Sequence, residues 1–328
     1  MLADYYFSKK NNMKVLVTGG AGFIGSHIVR ALVDNGDRVW VIDDYSTGSP
    51  DNIEDLRSRI KVVEGDIRDP DIVGPVIGEV EAVLHQGALP SVPRSFSDPV
   101  GTTSVNTGGT LNLLEAARGS DVKTFVIASS SSIYGDVKAP MKSEDLPPAP
   151  LSPYAVSKLA GEYYCRLYNK LYHIPTIALR YFNVFGPGQD PKSQYSAVIP
   201  KFCTAILEDR TPVIYGDGKQ SRDFTFVDNV VQANLKCLSA PLEAFGEVFN
   251  IACGEKTDLL TTLKILGDIA GKEVLPVFEP DRPGDVRDSL ADIGKAREIL
   301  GYSPGVLYPE GLRRTFQYFK GKHGMKIE

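Results

Sequence analysis

The sequence predicts an α/β protein: a doubly wound parallel sheet followed by a smaller C-terminal α/β unit. Three observations carry that expectation. From Lys14 onward, β-branched apolar runs (KVLVT, RVWVID, KVVEGD, EAVLH, TFVIAS) alternate with helical stretches, and strands apolar along their whole length belong to parallel sheets covered on both faces. A glycine-rich turn opens directly after the first run. Finally, 328 residues with 42% hydrophobic and 23% charged side chains can bury a sizeable core in one large or two medium domains.

Residues 1–12 (MLADYYFSKKNN) are polar and unpatterned, and Met13 directly precedes the first apolar run, so an N-terminal extension outside the fold is expected. Between Phe23 and Asn35, Ile24, Ile28 and Leu32 share a helix face and Gly36 supplies a stop, which predicts the first crossover helix. Pro147, Pro148, Pro150 and Pro153 gather in a surface loop before a long helix from Tyr154 to about Tyr172, and the strand-like PTIALRYF follows. After Asn183 the pattern shortens, and VIYGDGKQSRDF reads as a charged loop. A boundary near residue 180 then divides a dinucleotide-binding domain, 13–180, from a substrate domain, 181–328. The apolar stretch from Val227 to Leu238, within 223–245, is a candidate to pack back on the first sheet.

Composition excludes several function classes. With 36 Lys+Arg against 41 Asp+Glu the net charge is -5, which lacks the basic footprint of a nucleic-acid binder. The cysteines at 165, 203, 237 and 253 are too far apart for a zinc knuckle or a redox pair, so reduced thiols and no metal are expected. No apolar run approaches the roughly 18 residues of a membrane span, and the first residues lack a signal-peptide core. A cytoplasmic protein without a membrane partner is the expectation.

In TGGAGFIG, Gly19, Gly22 and Gly25 lie between a strand and a helix, where missing side chains let backbone amides approach a pyrophosphate. The spacing differs from the common G-x-G-x-x-G, but the surrounding strand and helix make it a Rossmann-type site. Eighteen positions after Gly25, at the end of the second apolar run, stands Asp43, placed to accept hydrogen bonds from an adenosine ribose. Asp43 and Asp44 would repel a 2′-phosphate and no cation immediately follows them, so NAD is favoured over NADP. Tyr154 and Lys158 in SPYAVSK are four residues apart on one helix face, and a serine run, Ser129 to Ser132, ends the preceding strand. A phenol is a poor base at neutral pH, and the nearby Lys158 ammonium and the positive nicotinamide are both expected to favour its phenolate.

Together TGGAGFIG, Asp43, SSSSIYG, YAVSK and LRYFNVFGP resemble an extended short-chain dehydrogenase/reductase over nearly the whole chain from Met13. Within it, HQGALPSVPRS, SRDF and RPGDVRDSLADIGKA are similar to NAD-dependent UDP-sugar 4-epimerases, especially those acting on UDP-N-acetylglucosamine. The resemblance implies that Ser130 hydrogen-bonds the reacting hydroxyl, Tyr154 is the base, and Lys158 lowers its pKa and holds the nicotinamide ribose. It also implies that Phe23, Ile24, Asp44, Thr47 and Gly48 border the cofactor, that Asp66 and Ile67 flank the adenine, and that Gln86, Gly87, Ala88, Asn106 and Tyr181 line the dinucleotide. Ser132, Asn183, Val198, Val213, Tyr215, Arg222, Arg282 and Asp285 would hold the UDP-sugar, with the two arginines on the diphosphate.

Relatives that dehydrate a sugar place Asp and Glu at the two positions after Ser130, and a decarboxylase of this family is expected to have Glu at the second. Here they are Ser131 and Ser132, so reversible hydride transfer is the expected chemistry. Ser289 matches a position where a bulky side chain narrows the pocket of UDP-galactose epimerases, and its small size leaves space for an N-acetyl group. The runner-up activity is UDP-glucuronate 4-epimerisation, with Arg94 as partner of the sugar carboxylate. A non-catalytic dinucleotide sensor is the alternative from another class. The resemblance also implies a homodimer joined by a four-helix bundle, with Leu111 to Ala117 and Tyr163 to Leu171 as candidate seams. His27, His85 and His173 are read as packing or solvated residues, and Cys165 as core.

Overall fold

The structure is a computed structural model that describes residues 12–191, 198–280 and 287–324. Its first half alternates strand and helix: β1 (Lys14–Thr18), α1 (Phe23–Asn35), β2 (Arg38–Asp43), β3 (Ile60–Glu64), α2 (Pro70–Ile77) and β4 (Ala82–His85). The pieces α3 (Val92–Ser97), α4 (Pro99–Thr103) and α5 (Thr110–Arg118) follow, the last two joined by a π-helical turn at Ser104–Gly109. Then come β5 (Thr124–Ser130), α6 (Pro153–Tyr172) and β6 (Thr176–Tyr181). The long helix is capped by Ser152, whose side chain accepts from the Ala155 amide, and has Pro153 in its first turn. Gly36, at φ 87°, closes α1 where the sequence placed the stop.

Beyond residue 181 the elements are shorter: β7 (Val184–Phe185), α7 (Val198–Leu207), β8 (Val213–Tyr215), β9 (Ser221–Arg222), β10 (Thr225–Phe226), α8 (Val227–Cys237), β11 (Glu247–Ile251), β12 (Thr257–Asp258), α9 (Leu259–Ala270), β13 (Val277–Glu279), α10 (Gly294–Leu300) and α11 (Tyr308–Gly324). The segment read as a charged loop, VIYGDGKQSRDF, instead carries β8 and β9. Those strands pair with β13 and β12, far later in the chain, so nothing local announced them.

Seven parallel strands form the main sheet in the order β11-β6-β5-β4-β1-β2-β3. Its edge strand β11 crosses back from the C-terminal half: Val248, Phe249 and Ile251 are buried beside β6. Helix α8 packs on α1 and α10 on β11. Burying both faces requires cover on both sides, and two apolar layers supply it, one around Ile28, Leu32, Val230 and Phe249, the other around Leu113, Phe125, Cys165 and Ala178. A third core, with Phe185, Phe224, Phe226, Tyr308 and Phe316, holds the C-terminal elements together.

The chain leaves β1 toward β2 and β3 on one side and returns to β4 on the other. A crevice therefore opens at the carboxyl ends of β1 and β4, the place where ligands bind in open α/β sheets. Among the described residues, no helix is long and apolar enough to cross a membrane, and no group of His, Cys, Asp and Glu side chains could hold a metal ion.

Candidate active site

The glycine turn is dictated by backbone crowding. Gly19 has φ 66°, and a Cβ there would lie 2.7 Å from the Gly87 Cα; at Gly25 it would lie 2.0 Å from the Gly19 carbonyl oxygen. No side chain caps the N-terminus of α1 and its first turn holds no acid, so its amides face the crevice with their positive dipole end available to an anion. Asp43 ends β2, buried, with one carboxylate oxygen accepting from the Ala21 amide (2.8 Å) and the other from the Tyr45 amide (2.9 Å). Each oxygen keeps a further lone pair for a ribose hydroxyl. Burial pushes the Asp43 carboxyl up, while the two amides pull it down.

One cleft is lined by sixteen of the residues assigned from sequence: Gly19, Gly22, Phe23, Ile24, Gly25, Asp43, Asp44, Thr47, Asp66, Ile67, Gln86, Gly87, Ala88, Tyr154, Lys158 and Tyr181. Gly48 and Asn106 are placed differently. A Cβ on Gly48 would meet the Ala21 backbone at 2.8 Å, so this residue abuts the glycine turn from behind. Asn106 is buried and works as scaffold: its Oδ1 accepts from the Leu89 amide (2.8 Å) and its Nδ2 donates to the Ser157 hydroxyl (3.0 Å). Asp66 is engaged by Arg68, whose Nε donates to it at 2.9 Å.

Sequence reasoning gave His85 no role, yet it anchors the floor. Thr110 donates to the Asn106 carbonyl (2.6 Å) and so accepts from His85 Nε2 (2.9 Å). His85 Nδ1 accepts from the Thr18 hydroxyl (2.6 Å), which accepts from the Gly87 amide (3.2 Å). Burial, and secondarily Lys158, push the imidazole down to about 3, so it stays neutral and the chain keeps one direction. Only the close approach of β1 and β4 reveals this.

Ser130 is not among the residues lining the cleft, but beside the lining Ser129 it accepts from the Ser132 amide (3.2 Å) and the Ser132 hydroxyl (2.9 Å), which leaves its own proton to be donated toward Tyr154. The Lys158 ammonium donates to the Ala128 carbonyl (2.9 Å) and lies 5.9 Å from the centre of the Tyr154 ring. Burial pushes Lys158 down to about 8. Burial pushes the Tyr154 phenol up, and Ser130 pulls it down. Tyr181 donates to Gln86 (3.2 Å) and accepts from Asn234 of α8 (2.8 Å), so the cleft wall is pinned by a helix from the C-terminal half.

The substrate-side assignments gather less tightly. Asn183, at φ 35°, turns the chain after β6 and donates to the Ser289 hydroxyl at 3.1 Å, bringing together two residues 106 positions apart. Arg222 donates to the Ser221 carbonyl (2.9 Å) and the Arg287 carbonyl (3.1 Å). Val213 and Tyr215 sit on β8 and Val198 starts α7; Arg282 and Asp285 lie outside the described residues. The organiser of this region is Asp223, which sequence reasoning passed over inside SRDF. Fully buried, it accepts from the amides of Cys253 (2.9 Å), Gly254 (3.0 Å) and Ala291 (3.2 Å), and burial pushes it up to about 6.

The pattern of the family described as "NAD dependent epimerase/dehydratase family" matches residues 15–252. The UDP-glucose 4-epimerase of Thermotoga maritima, solved with UDP-glucose, is 38% identical with TM-score 0.90, covering 95% of this chain and 100% of that one. The UDP-N-acetylglucosamine 4-epimerase of Methanobrevibacter ruminantium, in complex with UDP-N-acetylmuramic acid, is 37% identical with TM-score 0.90, covering 95% and 99%. The UDP-glucuronic acid 4-epimerase of Bacillus cereus, in complex with UDP-glucuronic acid and NAD, is 37% identical with TM-score 0.88, covering 94% and 100%.

Proposed function

Because this chain belongs to the NAD dependent epimerase/dehydratase family, we propose that it is a UDP-sugar 4-epimerase interconverting UDP-GlcNAc and UDP-GalNAc, and more slowly UDP-glucose and UDP-galactose. The activity class is that of the NAD-dependent nucleotide-sugar 4-epimerases; the sugar is the new assignment. The observation that carries it is Tyr154 and Lys158 in the cleft lining with Ser130 interacting with Tyr154, and serines, not acids, at 131 and 132. Elimination of water needs an acid and a base beside the reacting carbon, and Ser132 is instead a hydrogen-bond donor to Ser130.

The cradle fits NAD: two glycines admit no side chain, an uncapped helix end faces the pyrophosphate position, and the Asp43 oxygens retain acceptor capacity for the ribose. When bound, NAD supplies a reversible hydride acceptor and, while oxidised, a positive ring. Tyr154 removes the proton of the C4 hydroxyl as the C4 hydride leaves, and after the 4-keto sugar has turned over it returns the proton to O4 as the hydride comes back to the opposite face of C4. Ser130 orients the reacting oxygen and donates to Tyr154. Lys158, tethered to Ala128, holds the ribose hydroxyls. Asn183, Val198, Val213, Tyr215, Arg222, Arg282 and Asp285 retain the UDP moiety, so that binding energy remote from the reacting carbon keeps a rotating intermediate in place.

Relatives acting on UDP-glucose, UDP-N-acetylglucosamine and UDP-glucuronic acid are equally similar, so the sugar rests on Ser289, small, half-buried and beside Asn183. The assay is incubation with UDP-GlcNAc, UDP-glucose and UDP-glucuronate in turn, with chromatographic separation of the C4 epimers. UDP-GalNAc as the fastest product is expected. Turnover of UDP-glucuronate alone would assign the enzyme to the acid sugar and Arg94 to its carboxylate, and no turnover with NAD retained would leave a sensor.

A homodimer belongs to the same proposal. Val156, Tyr163, Leu167 and Leu171 leave an exposed apolar stripe along α6, beside exposed Phe96 and Val100 of the α3–α4 segment. The other candidate seam is turned inward, with Leu113, Leu114 and Ala117 in the core. The α6 stripe is therefore the surface for a second copy, checked by light scattering, where a monomeric mass would refute it.

A further inference from the structure

The residues around the reaction end of the cleft have neighbours whose side chains enter one buried polar network behind it. In sheet register Ser129 pairs with Arg180 and Ser130 with Tyr181. Glu162 stands four residues after Lys158 and eight after Tyr154, on one face of α6. Glu162 and Arg180 are each 5% exposed, and the guanidinium grips the carboxylate in a fork, Nε to Oε1 at 2.9 Å and Nη2 to Oε2 at 2.7 Å. The Ser129 hydroxyl donates to the same Oε1. Arg180 Nη1 donates to the Tyr134 hydroxyl (2.8 Å), which donates to Asn250 (2.8 Å), and Tyr134 closes the turn that begins at Ser130.

A buried ion pair is weak evidence for stability, because desolvation offsets the attraction between its charges. A fully hydrogen-bonded fork does fix one geometry. Neither Glu162 nor Arg180 lines the cleft, so both act through neighbours. Resting on the epimerase reading, we propose that Glu162 and Arg180 are the positioning pair of the reaction centre: they lock the strand ends carrying Ser130 and Tyr181 against the helix face carrying Tyr154 and Lys158.

The test compares NAD-loaded Glu162→Gln, Ser129→Ala and Tyr134→Phe with wild type on the UDP-sugar it turns over. Ser129→Ala removes one hydrogen bond to the carboxylate and Tyr134→Phe removes two, from Arg180 and to Asn250, but both leave the Glu162–Arg180 fork intact, so they remain informative if Glu162→Gln does not fold. A misplacement of about 1 Å costs up to about a hundredfold in rate, so kcat should fall about 20-fold or more in Glu162→Gln and about fivefold in the other two, with KM within about twofold of wild type. A pair with only a structural role would lower thermal stability and leave kcat of the folded fraction unchanged. Crystal structures of Ser129→Ala and Tyr134→Phe should show the Ser130–Tyr154 hydrogen bond broken or lengthened. If that bond persists, or kcat stays at the wild-type value in both variants, the proposal is overturned. Should wild type turn over no UDP-sugar, the epimerase reading fails by itself, and the Ser130–Tyr154 geometry in the same crystals still decides the positioning role.

Discussion

The dinucleotide cleft and the region proposed for the sugar are built in opposite ways. On the dinucleotide side the contacts come from short contiguous stretches, Gly19 to Gly25, Asp43 to Thr47 and Gln86 to Ala88, and the decisive features are backbone approaches that admit no Cβ. On the side proposed for the sugar the residues come from distant segments: Asn183 bonds the Ser289 hydroxyl, and the buried Asp223 carboxylate holds the amides of Cys253, Gly254 and Ala291. The first construction tolerates no change in shape, whereas the second can change its pocket by substitution while keeping its tie. The contrast suits a family in which one cofactor serves several sugars.

The sharpest break is made where the halves meet. On the proposed chemistry Tyr154→Phe removes the proton acceptor and leaves the ring, so kcat should drop by about a thousandfold while NAD binding and thermal stability stay close to wild type. Full-speed inversion in that variant would remove the basis of the mechanism. Gly25→Ala tests the dinucleotide half alone. Its methyl would sit 2.0 Å from the Gly19 oxygen, so NAD affinity measured by calorimetry should weaken by about a hundredfold, roughly 3 kcal/mol. UDP binding to the same variant should change little, and an equal loss of both would mean that the halves are not independent.

How much was legible follows the same division. The glycine turn, Asp43, the helix bounds at Phe23 and Asn35, and the pairing of Tyr154 with Lys158 all rest on local spacing, and the sequence exposes local spacing directly. Asp223, His85, Glu162 and Arg180 escaped because each is defined by what it touches far along the chain: amides at 253 and 291, a threonine at 110, a strand brought alongside by the sheet. The strands β8 and β9 were missed for the same reason. For the Tyr154–Lys158 pair the spacing was legible, whereas the burial that raises the phenol and lowers the ammonium is a tertiary fact.

Asp223→Asn sharpens the contrast from the sugar side. An amide offers one acceptor oxygen in place of two, so the tie loosens and KM for the UDP-sugar should rise about tenfold, with NAD affinity within about twofold. Its pH dependence has a definite sign. Burial raises the carboxyl from 3.8 to about 6 in the folded state, so its stabilising contribution is complete below pH 3.8 and lost as the pH rises through about 6. Wild type should therefore lose melting temperature relative to Asp223→Asn across that window, by an amount worth about 3 kcal/mol at most. A constant difference would show that the carboxylate is already ionised at low pH.

Lys158→Met is the counterpart on the reaction side, with a smaller effect on stability. The ammonium is depressed from 10.5 to about 8 by burial, so a folded-state penalty is fully expressed below pH 8 and relieved as the pH rises toward 10.5. At neutral pH the substitution should stabilise the protein by about 2 kcal/mol, after allowing for the lost hydrogen bond to Ala128, while activity falls. Denaturant melts at pH 7 and pH 10 would read the difference and its disappearance. A destabilised variant would mean that the lysine is held as a satisfied charge.

The smallest and most specific effect is expected at Ser289, where the sugar half is open to substitution. Its hydroxyl accepts from Asn183 at 3.1 Å and its amide donates to the Ser221 carbonyl at 3.1 Å, so the backbone is held in register whatever side chain is present. Ser289→Tyr should fill the space assigned to the N-acetyl group and lower kcat/KM for UDP-GlcNAc relative to UDP-glucose by about tenfold, the scale on which a pocket rejects one small group. Ser289→Ala separates the two ways this could arise: it removes the hydrogen bond to Asn183 without adding bulk, and the ratio should then stay at the wild-type value. A shift of equal size in both variants would place discrimination in the orientation of Asn183, and no shift in either would move the specificity determinant away from residue 289 altogether.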